Sequence, residues 1–262
     1  IMDLMDRGNL NLEAVNTLVL DEADRMLDMG FYDDIAYVVK RVPADRQTLM
    51  FSATYPEGIA KLAGQFMRNP KRITVQAQHE ESKIRQRFYE VQDSDRLMAV
   101  TTLLNHYRPV STLAFCNTKA RCKDLVELLT AAGFSAQALH GELEQRDRDQ
   151  VLVQFANRSC SVLVATDVAA RGLDIAQLEA VINVDVTPEP ELHIHRIGRT
   201  GRADNEGWAL SLASAKEMGR VNRLEDEQGR PVEWADITAL KPASDEPLVP
   251  PMATIQIQVE RK

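Results

Sequence analysis

Short apolar runs alternate with amphipathic stretches along most of the chain. The stretches at 96–106, 119–131 and 144–156 carry apolar residues three and four positions apart, which is typical of helices with one buried face. Buried strands are predicted at the apolar runs 17–20, 48–51, 111–115, 161–165, 180–184 and 208–212. Strands that alternate with helices form βαβ units around a mainly parallel sheet, so the predicted fold class is α/β.

The composition excludes several classes of protein. With 44% hydrophobic residues among 262, the chain can bury packed cores and is not disordered as a whole. No run approaches the roughly 20 apolar residues of a membrane span, so we expect no membrane partner. Cys116, Cys122 and Cys160 are too few for a disulfide framework or a metal site, which favours a reducing, cytoplasmic location. The net charge of -8 argues against coating nucleic acid by bulk charge but allows local basic patches.

Changes in composition divide the chain into segments. Residues 76–87 are polar and aperiodic, and we interpret them as a linker between two α/β units. The segment before it, 1–75, has too few predicted strands for a self-sufficient sheet, whereas 88–228 has a full set. Prolines among acids predict a second linker at 229–251, and alternating residues in 252–262 predict one further strand without a partner. We therefore expect the chain to be cut at both ends.

Acidic residues follow the first predicted strand. Residues 21–24 read Asp-Glu-Ala-Asp, and open α/β sheets bind ligands at the carboxyl ends of their parallel strands. One such carboxylate can hold Mg²⁺ while its neighbour orients an attacking water. A helix dipole also favours acids at a helix N-terminus, so a purely structural role stays open.

Hydroxyl side chains follow two other predicted strands. Ser52 and Thr54 follow the second, where they could bridge to the acids or cap the next helix. Thr166 follows a later strand, and Asp174 lies a few residues beyond it. Those two residues could bind a ligand, or they could serve as a helix cap and a turn residue.

The segment 195–202 concentrates positive charge. It reads His-Arg-Ile-Gly-Arg-Thr-Gly-Arg and contains no acid. If it is helical, His195, Arg199 and Arg202 share one face. Such arginines suit phosphate oxygens, because guanidinium stays charged and binds two oxygens at once. Glycines are costly inside a helix, so they indicate close approach of a backbone or a ligand; a solvated basic face is the alternative.

Taken together and in this order, the motifs resemble those of the DEAD-box RNA helicases of helicase superfamily two. The matching segments are 21–24, 52–54, 113–119, 170–174 and 195–202, with His140, Gly141, Gln145 and Arg148. The resemblance covers roughly residues 1–228. The acidic, proline-rich approach to residue 252 is similar to that of the DbpA-like helicases, which act in large ribosomal subunit assembly and read a ribosomal RNA hairpin through an appended domain.

The resemblance implies RecA-like parallel sheets, with a partial first lobe at 1–75, a complete second lobe at 88–228 and the start of a truncated RNA-binding domain at 252–262. It implies an ATP-dependent RNA helicase that couples ATP binding and hydrolysis to local unwinding of RNA duplexes. ATP and Mg²⁺ would be its cofactors. Its partner would be RNA, specifically ribosomal RNA, and it would work as a cytoplasmic monomer.

The resemblance also implies roles for individual residues. Catalysis would fall to Glu22, which activates water, and to Arg199 and Arg202 as arginine fingers. ATP would be contacted by Asp21, Asp174, Arg199 and Arg202, with Asp21 holding Mg²⁺ through water. Coupling of the nucleotide site to lobe closure would fall to Asp24, Ser52, Thr54 and His195. RNA phosphates would be contacted by Thr118, Gly141 and Thr166.

One required element does not occur in this sequence. ATPases of this kind need a phosphate-binding loop, Gly-x-x-x-x-Gly-Lys-Ser/Thr, and no stretch of the 262 residues matches it. We therefore expect a fragment of a helicase that is inactive alone. Two alternatives stay open: an RNA-binding assembly factor without ATPase activity, and a related enzyme that moves along DNA.

Overall fold

The structure is a computed structural model that describes residues 1–52, 55, 57–74, 83–170, 173, 178–201 and 206–243. Its contacts divide the chain into two compact units, Ile1–Ala77 and Gln78–Lys262. No described helix has both the length and the apolar character needed to cross a membrane.

The first unit contains a pair of parallel strands and several helices in its described part. In chain order they are α1 (Met2–Asp6), β1 (Thr17–Leu20), α2 (Ala23–Asp28), α3 (Tyr32–Val39), β2 (Gln47–Met50) and α4 (Glu57–Phe66). Leu20, Ile35 and Leu62 are buried together among them. Val19 of β1 and Phe51 after β2 are exposed, so the described elements cover the strands on one side only.

The second unit is built on one larger sheet. In chain order its elements are β3 (Ile84–Glu90), α5 (Arg96–Tyr107), β4 (Thr112–Phe115), α6 (Lys119–Ala131), β5 (Ala136–Leu139), α7 (Gln145–Ala156), β6 (Val162–Ala165), α8 (Asp167–Ala170), β7 (Ala180–Asn183), α9 (Pro190–Ile197), β8 (Gly207–Ala213), α10 (Met218–Gln228) and β9 (Trp234–Ala235). Short 3₁₀ helices occupy Ala215–Glu217 and Ile237–Ala239. All strand pairs are parallel, in the order β5-β6-β4-β7-β8-β3-β9.

The central strands β4, β6 and β7 are buried along their whole length. Successive side chains of a strand point to opposite faces, and Leu113 and Ala114 of β4 enter different apolar clusters. The cluster around Ala114 includes α5 and α6, whereas the cluster around Leu113 includes α7. Burial on both faces explains the continuous apolar runs. The prediction of an α/β fold with parallel sheets is confirmed.

Strand β3 begins inside the segment that was predicted as the linker 76–87. Its first residues, 84–87, pair with the first residues of β8. Strand β9 pairs only with Phe88 and Tyr89, so the first half of β3 lies at the edge of the sheet. Polar residues are tolerated at such an edge, and this half reads Ile-Arg-Gln-Arg. The second unit therefore starts earlier than residue 88.

The second unit also extends past residue 228 into the predicted linker 229–251. Strand β9 pairs there with β3, and Ile237 and Leu240 pack against the cluster that includes α5 and α6. A strand of two residues and two isolated apolar contacts leave no periodic signal in the sequence. The strand predicted in 252–262 lies outside the described residues.

The three cysteines are all buried, as expected for inert thiols. Burial raises the pKa of Cys160 to about 11. That thiol is therefore protonated at neutral pH and is a poor nucleophile.

His193 of α9 lies in the core of the second unit. It is 2% exposed and stacks on Phe88, with 5.6 Å between ring centroids. Burial, together with the positive charge of Arg196, lowers the pKa of His193 to about 3. The folded protein therefore holds this imidazole neutral at physiological pH.

This shifted pKa predicts a loss of stability in acid. Below about pH 6.5 the unfolded chain binds a proton at His193 that the folded chain does not bind, so the free energy of unfolding falls by about 1.4 kcal/mol per pH unit. In the variant His193→Gln this contribution is absent, and the fall between about pH 6 and pH 4 is shallower by that amount. Urea titrations followed by tryptophan fluorescence measure it, because Trp208 and Trp234, the only tryptophans, lie in the second unit. Equal slopes for parent and variant would contradict the assignment.

Candidate nucleotide and RNA site

The acidic motif lies directly beyond β1, whose parallel partner is β2. The backbone amide of Phe51 donates to the carbonyl of Leu20 (2.8 Å), and the amide of Ala23 donates to the carbonyl of Phe51 (3.0 Å). These bonds hold the segments after the two strands together. Asp21 is exposed, whereas Asp24 is buried in the first turn of α2. Thus the side chain of Asp21 is exposed to solvent, whereas that of Asp24 is buried.

Glu22 has an unusual backbone conformation. Its φ of 50° and ψ of 44° are left-handed, and it forms the N-cap position of α2. A non-glycine residue held there costs about 1–3 kcal/mol, and such strain is concentrated at functional sites. The turn keeps Asp21 and Glu22 outside the helix, and the amide of Glu22 donates to Oδ1 of Asp21 (2.9 Å).

The donor chemistry at this position fits magnesium. Mg²⁺ binds through one or two carboxylates, retains several waters and takes further oxygens from phosphates. Within the described residues there is no cluster of three or more metal-binding side chains that could form an all-protein cage. The exposed carboxylate of Asp21 could serve as the single protein anchor of an ion bound together with a nucleotide.

Ser52 is half-buried two residues beyond β2, next to Phe51. Its position after the strand that pairs with β1 brings it to the same sheet edge as the acids. Thr54 lies outside the described residues. The same is true of Asp174 and Arg202 in the second unit.

The residues expected to contact RNA follow three neighbouring strands. Thr118, Gly141 and Thr166 come after β4, β5 and β6, which are adjacent in the order β5-β6-β4. Because these strands are parallel, the three residues lie at one edge of the sheet. Thr118 also caps α6, since its hydroxyl accepts from the amide of Arg121 (3.2 Å). A Cβ added at Gly141 would meet nothing within 4 Å, which leaves its backbone open to a ligand.

The arginine segment is only partly helical, so His195 and Arg199 do not share one face of a helix, and Arg202 lies outside the described residues. Helix α9 ends at Ile197, two residues before Arg199. His195 lies in the last turn of α9 and is half-buried. Arg199 lies beyond the helix, and its Nη1 donates to the carbonyl of Leu173 (3.0 Å). Because the helix ends at Ile197, Arg199 does not follow the helical spacing that the sequence suggests.

Gly201 shows why the segment contains a glycine. Its φ is 68°, and a Cβ there would lie 2.5 Å from Cγ1 of Ile84. The neighbouring Thr200 is buried, and its hydroxyl donates to the carbonyl of Leu178 (2.5 Å). Close approach of the backbone, which the sequence indicates, therefore occurs at Gly201. Among the described basic residues of the segment, Arg196 is buried and His195 and Arg199 are half-buried, so they do not form a solvated face.

Arg196 is the residue of this segment that the sequence reasoning left without a role. It is 1% exposed. Its Nε and Nη2 donate to the two carboxylate oxygens of Asp167 (both 2.7 Å), its Nη1 to the carbonyl of Asp185 (2.8 Å), and its Nη2 to Oδ1 of Asn117 (3.0 Å). The signal available in the sequence was Asp167, an acid two residues after a fully apolar strand. A charged side chain near the buried end of a strand needs a partner of opposite charge.

A cavity of about 480 Å³ lies beside β3 and contains none of the predicted site residues. Its lining includes Arg85, Phe88, Trp208, Arg230 and Glu233. It therefore lies apart from the strand ends that carry the RNA and phosphate candidates.

Family comparisons agree with this geometry. A family model described as DEAD/DEAH box helicase matches residues 1–62, and one described as helicase conserved C-terminal domain matches residues 95–204. The chain is 50% identical over 226 residues to the ATP-dependent RNA helicase DbpA of Escherichia coli K12, covering 86% of this chain and 50% of that protein. It is 43% identical over 234 residues to the DEAD-box ATP-dependent RNA helicase CshA of Geobacillus kaustophilus, covering 89% of this chain and 50% of that protein. The chain thus spans about half the length of these curated relatives.

Solved structures give the same result. S. cerevisiae Dbp5 bound to RNA and ADP BeF3 matches with a TM-score of 0.82 and 29% identity, covering 90% of this chain and 63% of that one. The E. coli DEAD-box protein SrmB, bound to regulator of ribonuclease activity A, matches with a TM-score of 0.57 and 32% identity, covering 63% of this chain and 98% of that one. The fold is the RecA-like α/β type of the DEAD-box helicase domains that it matches. Within that class, the chain belongs to the DEAD-box RNA helicase family.

The left-handed Glu22 predicts a difference between two substitutions. Glu22→Gly and Glu22→Ala both remove the carboxylate, but only glycine adopts a positive φ without steric cost. We expect the glycine variant to be more stable than the alanine variant by about 1 kcal/mol. Calorimetric unfolding of the longer protein that contains this chain measures the difference. Equal stability, or a more stable alanine variant, would show that residue 22 does not hold this conformation.

Proposed function

We propose that the protein containing this chain is an ATP-dependent RNA helicase that couples ATP binding and hydrolysis to local unwinding of RNA duplexes. The observation that carries the proposal is the strained turn after β1, which holds Asp21 and Glu22 side by side beyond a parallel strand. A metal-anchoring carboxylate beside a water-orienting one is the arrangement that phosphoryl transfer to water requires. The names of the relatives support ATP and RNA as ligands.

In this proposal the first unit prepares the attacking water. Asp21 would hold Mg²⁺, and Glu22 would accept a hydrogen bond from the attacking water and align it with the terminal phosphate. Mg²⁺, when bound, neutralises charge on the phosphate oxygens. Asp24, Ser52 and Thr54 link this site to the closing of the lobes, which the buried position of Asp24 supports.

The second unit supplies positive charge and the grip on RNA. Arg199 and Arg202 act as arginine fingers on the transferring phosphoryl group, Asp174 binds the ribose and His195 assists lobe closure. Thr118, Gly141 and Thr166 contact RNA phosphates from one sheet edge, as their positions after β4, β5 and β6 support. Contacts to phosphates fix position but carry little sequence information.

We further propose ribosomal RNA as the substrate, in large ribosomal subunit assembly, and a cytoplasmic monomer as the working form. The 50% identity to DbpA supports this choice. The corresponding domains are a partial first lobe at 1–75, a second lobe that runs from β3 to β9 and so includes parts of 76–87 and 229–251, and the start of an RNA-binding domain at 252–262. Specificity for a hairpin would lie beyond residue 252.

The first test is RNA-stimulated ATP hydrolysis by the longer reading frame, with Glu22→Gln as the control. The substitution spares the magnesium anchor and removes the water-orienting carboxylate, so turnover falls at least about a hundredfold while ATP binding persists. The chain 1–262 alone, which has no phosphate-binding loop, should show no turnover. A complete protein without turnover would favour the RNA-binding assembly factor. Equal stimulation by RNA and DNA would favour an enzyme that moves along DNA.

The arginine finger gives a second test. Arg199→Ala should lower turnover at saturating ATP and RNA by about 10³-fold or more, the range measured for such arginines in other phosphoryl-transfer enzymes. RNA affinity in the absence of nucleotide should change by less than about threefold, because the proposed RNA contacts lie on other loops. Steady-state hydrolysis and fluorescence anisotropy measure the two quantities. A loss confined to RNA affinity would make Arg199 a phosphate contact of the RNA site.

A further inference from the structure

The guanidinium of Arg196 joins the ends of three strands. Asp167 follows β6, Asn117 follows β4 and Asp185 follows β7, and each supplies an acceptor within 3.0 Å of an Arg196 nitrogen. The fork on Asp167 is bidentate, which is the strongest and most directional form of such a contact. Since Arg196 is 1% exposed, this interaction is screened from water.

Two of these partners adjoin residues proposed to contact RNA. Asp167 follows Thr166 directly, and Asn117 precedes Thr118. The backbone amide of Asn117 also donates to the carboxylate of Asp185 (2.8 Å), and its side-chain amide donates to the carbonyl of Val186 (3.3 Å), so Asn117 is held through both backbone and side chain. A displacement of either RNA-contacting residue would therefore move an acceptor of Arg196.

The main chain of Arg196 contacts Arg199, the proposed arginine finger. The amide of Arg199 donates to the carbonyl of Arg196 (3.2 Å), at the point where α9 ends. The side chain of Arg196 thus contacts the loops proposed to bind RNA, and its main chain contacts Arg199. No other described side chain has hydrogen bonds to both the residue after Thr166 and the residue before Thr118.

We propose that Arg196 is a positioning residue that transmits RNA binding at Thr118 and Thr166 to the placement of Arg199. The inference rests on the proposed function and adds the element that couples its two sites. A guanidinium is suited to this role because its planar fork holds several acceptors in fixed directions, whereas an ammonium does not. Coupling between sites requires such a contiguous set of contacts with a defined arrangement.

Arg96 provides a matched control in the same unit. It is also 1% exposed, and it donates to the carbonyls of Val184 (2.6 Å) and Leu212 (3.1 Å) and forms ion pairs with Asp93 and Glu217. Its Nη1 also lies 3.8 Å from the carboxylate of Asp185, but Arg96 bonds to neither Asp167 nor Asn117, the two partners that adjoin residues proposed to contact RNA. A purely structural role for a buried arginine should therefore affect Arg96 and Arg196 variants alike.

The experiment compares Arg196→Lys with Arg96→Lys in the longer, complete protein. The readouts are turnover with and without saturating poly(U) RNA, the KM for ATP, the affinity for poly(U) without nucleotide, and the melting temperature. We expect both variants to melt at lower temperature. Only Arg196→Lys should lose RNA stimulation, by about tenfold, which is within the usual range of coupling between sites. Its affinity for poly(U) should stay within about threefold of the parent.

Asn117→Ala is the second variant, in case Arg196→Lys does not fold. Asn117 is exposed, and the change removes one hydrogen bond to Arg196. It should lower RNA stimulation by about fivefold with the affinity for poly(U) maintained. Unchanged stimulation in Asn117→Ala, or an equal loss in Arg96→Lys, would overturn the inference. A parent protein without RNA-stimulated turnover would overturn the proposed function, and the inference with it.

Discussion

Two buried arginines hold the carboxyl edge of the larger sheet together. Parallel strands direct their carboxyl ends to one edge, where the following loops place polar groups and unpaired carbonyls close together. Arg96 satisfies carbonyls after β7 and at the end of β8, and Arg196 satisfies acceptors after β4, β6 and β7. Removing either cation would leave buried carboxylates and carbonyls without partners, which costs far more than the net value of a single hydrogen bond. The loops that carry the proposed RNA contacts are therefore held in place by buried charges.

The sequence predicted the centre of the fold better than its margins. Strands β4, β6 and β7 are covered on both faces, so burial required a continuous apolar run that could be read directly. Strand β5 lies at the edge of the sheet and is mostly half-buried, and β3 begins with Ile-Arg-Gln-Arg, so neither produced such a run. A strand that is exposed to solvent on one side has a composition close to that of a linker. The sequence therefore did not indicate that β3 begins at residue 84.

In the candidate site, too, features that depend on nearby residues were predicted, whereas features that depend on contacts between distant residues were not. Motif order indicated which residues belong together through the resemblance to the DEAD-box family. Strand order adds that Thr118, Gly141 and Thr166 lie at one edge of the larger sheet. The end of α9 at Ile197 could not be read from the sequence, since it depends on Thr200 bonding to Leu178 and on Gly201 lying against Ile84. The role of Arg196 was hidden for a similar reason: its acceptors at positions 117, 167 and 185 are distant in the chain. The left-handed Glu22 leaves no mark in a sequence read residue by residue.

The distribution of charge bears on the proposal that this acidic chain binds RNA, a polyanion. Several cations near the RNA candidates are already neutralised within the protein: Asp167 pairs with Arg196, and Glu142 bonds to Lys119 and Lys123. Those two lysines lower the pKa of Glu142, so it stays ionised as their counter-charge. In the proposed RNA site, this edge would then offer mainly backbone and hydroxyl groups of residues such as Thr118, Gly141 and Thr166. Such groups release few counterions and hold the strand by position rather than by net charge. A grip of this kind can be formed and released by small movements of loops, which is what a cycle of binding and hydrolysis requires.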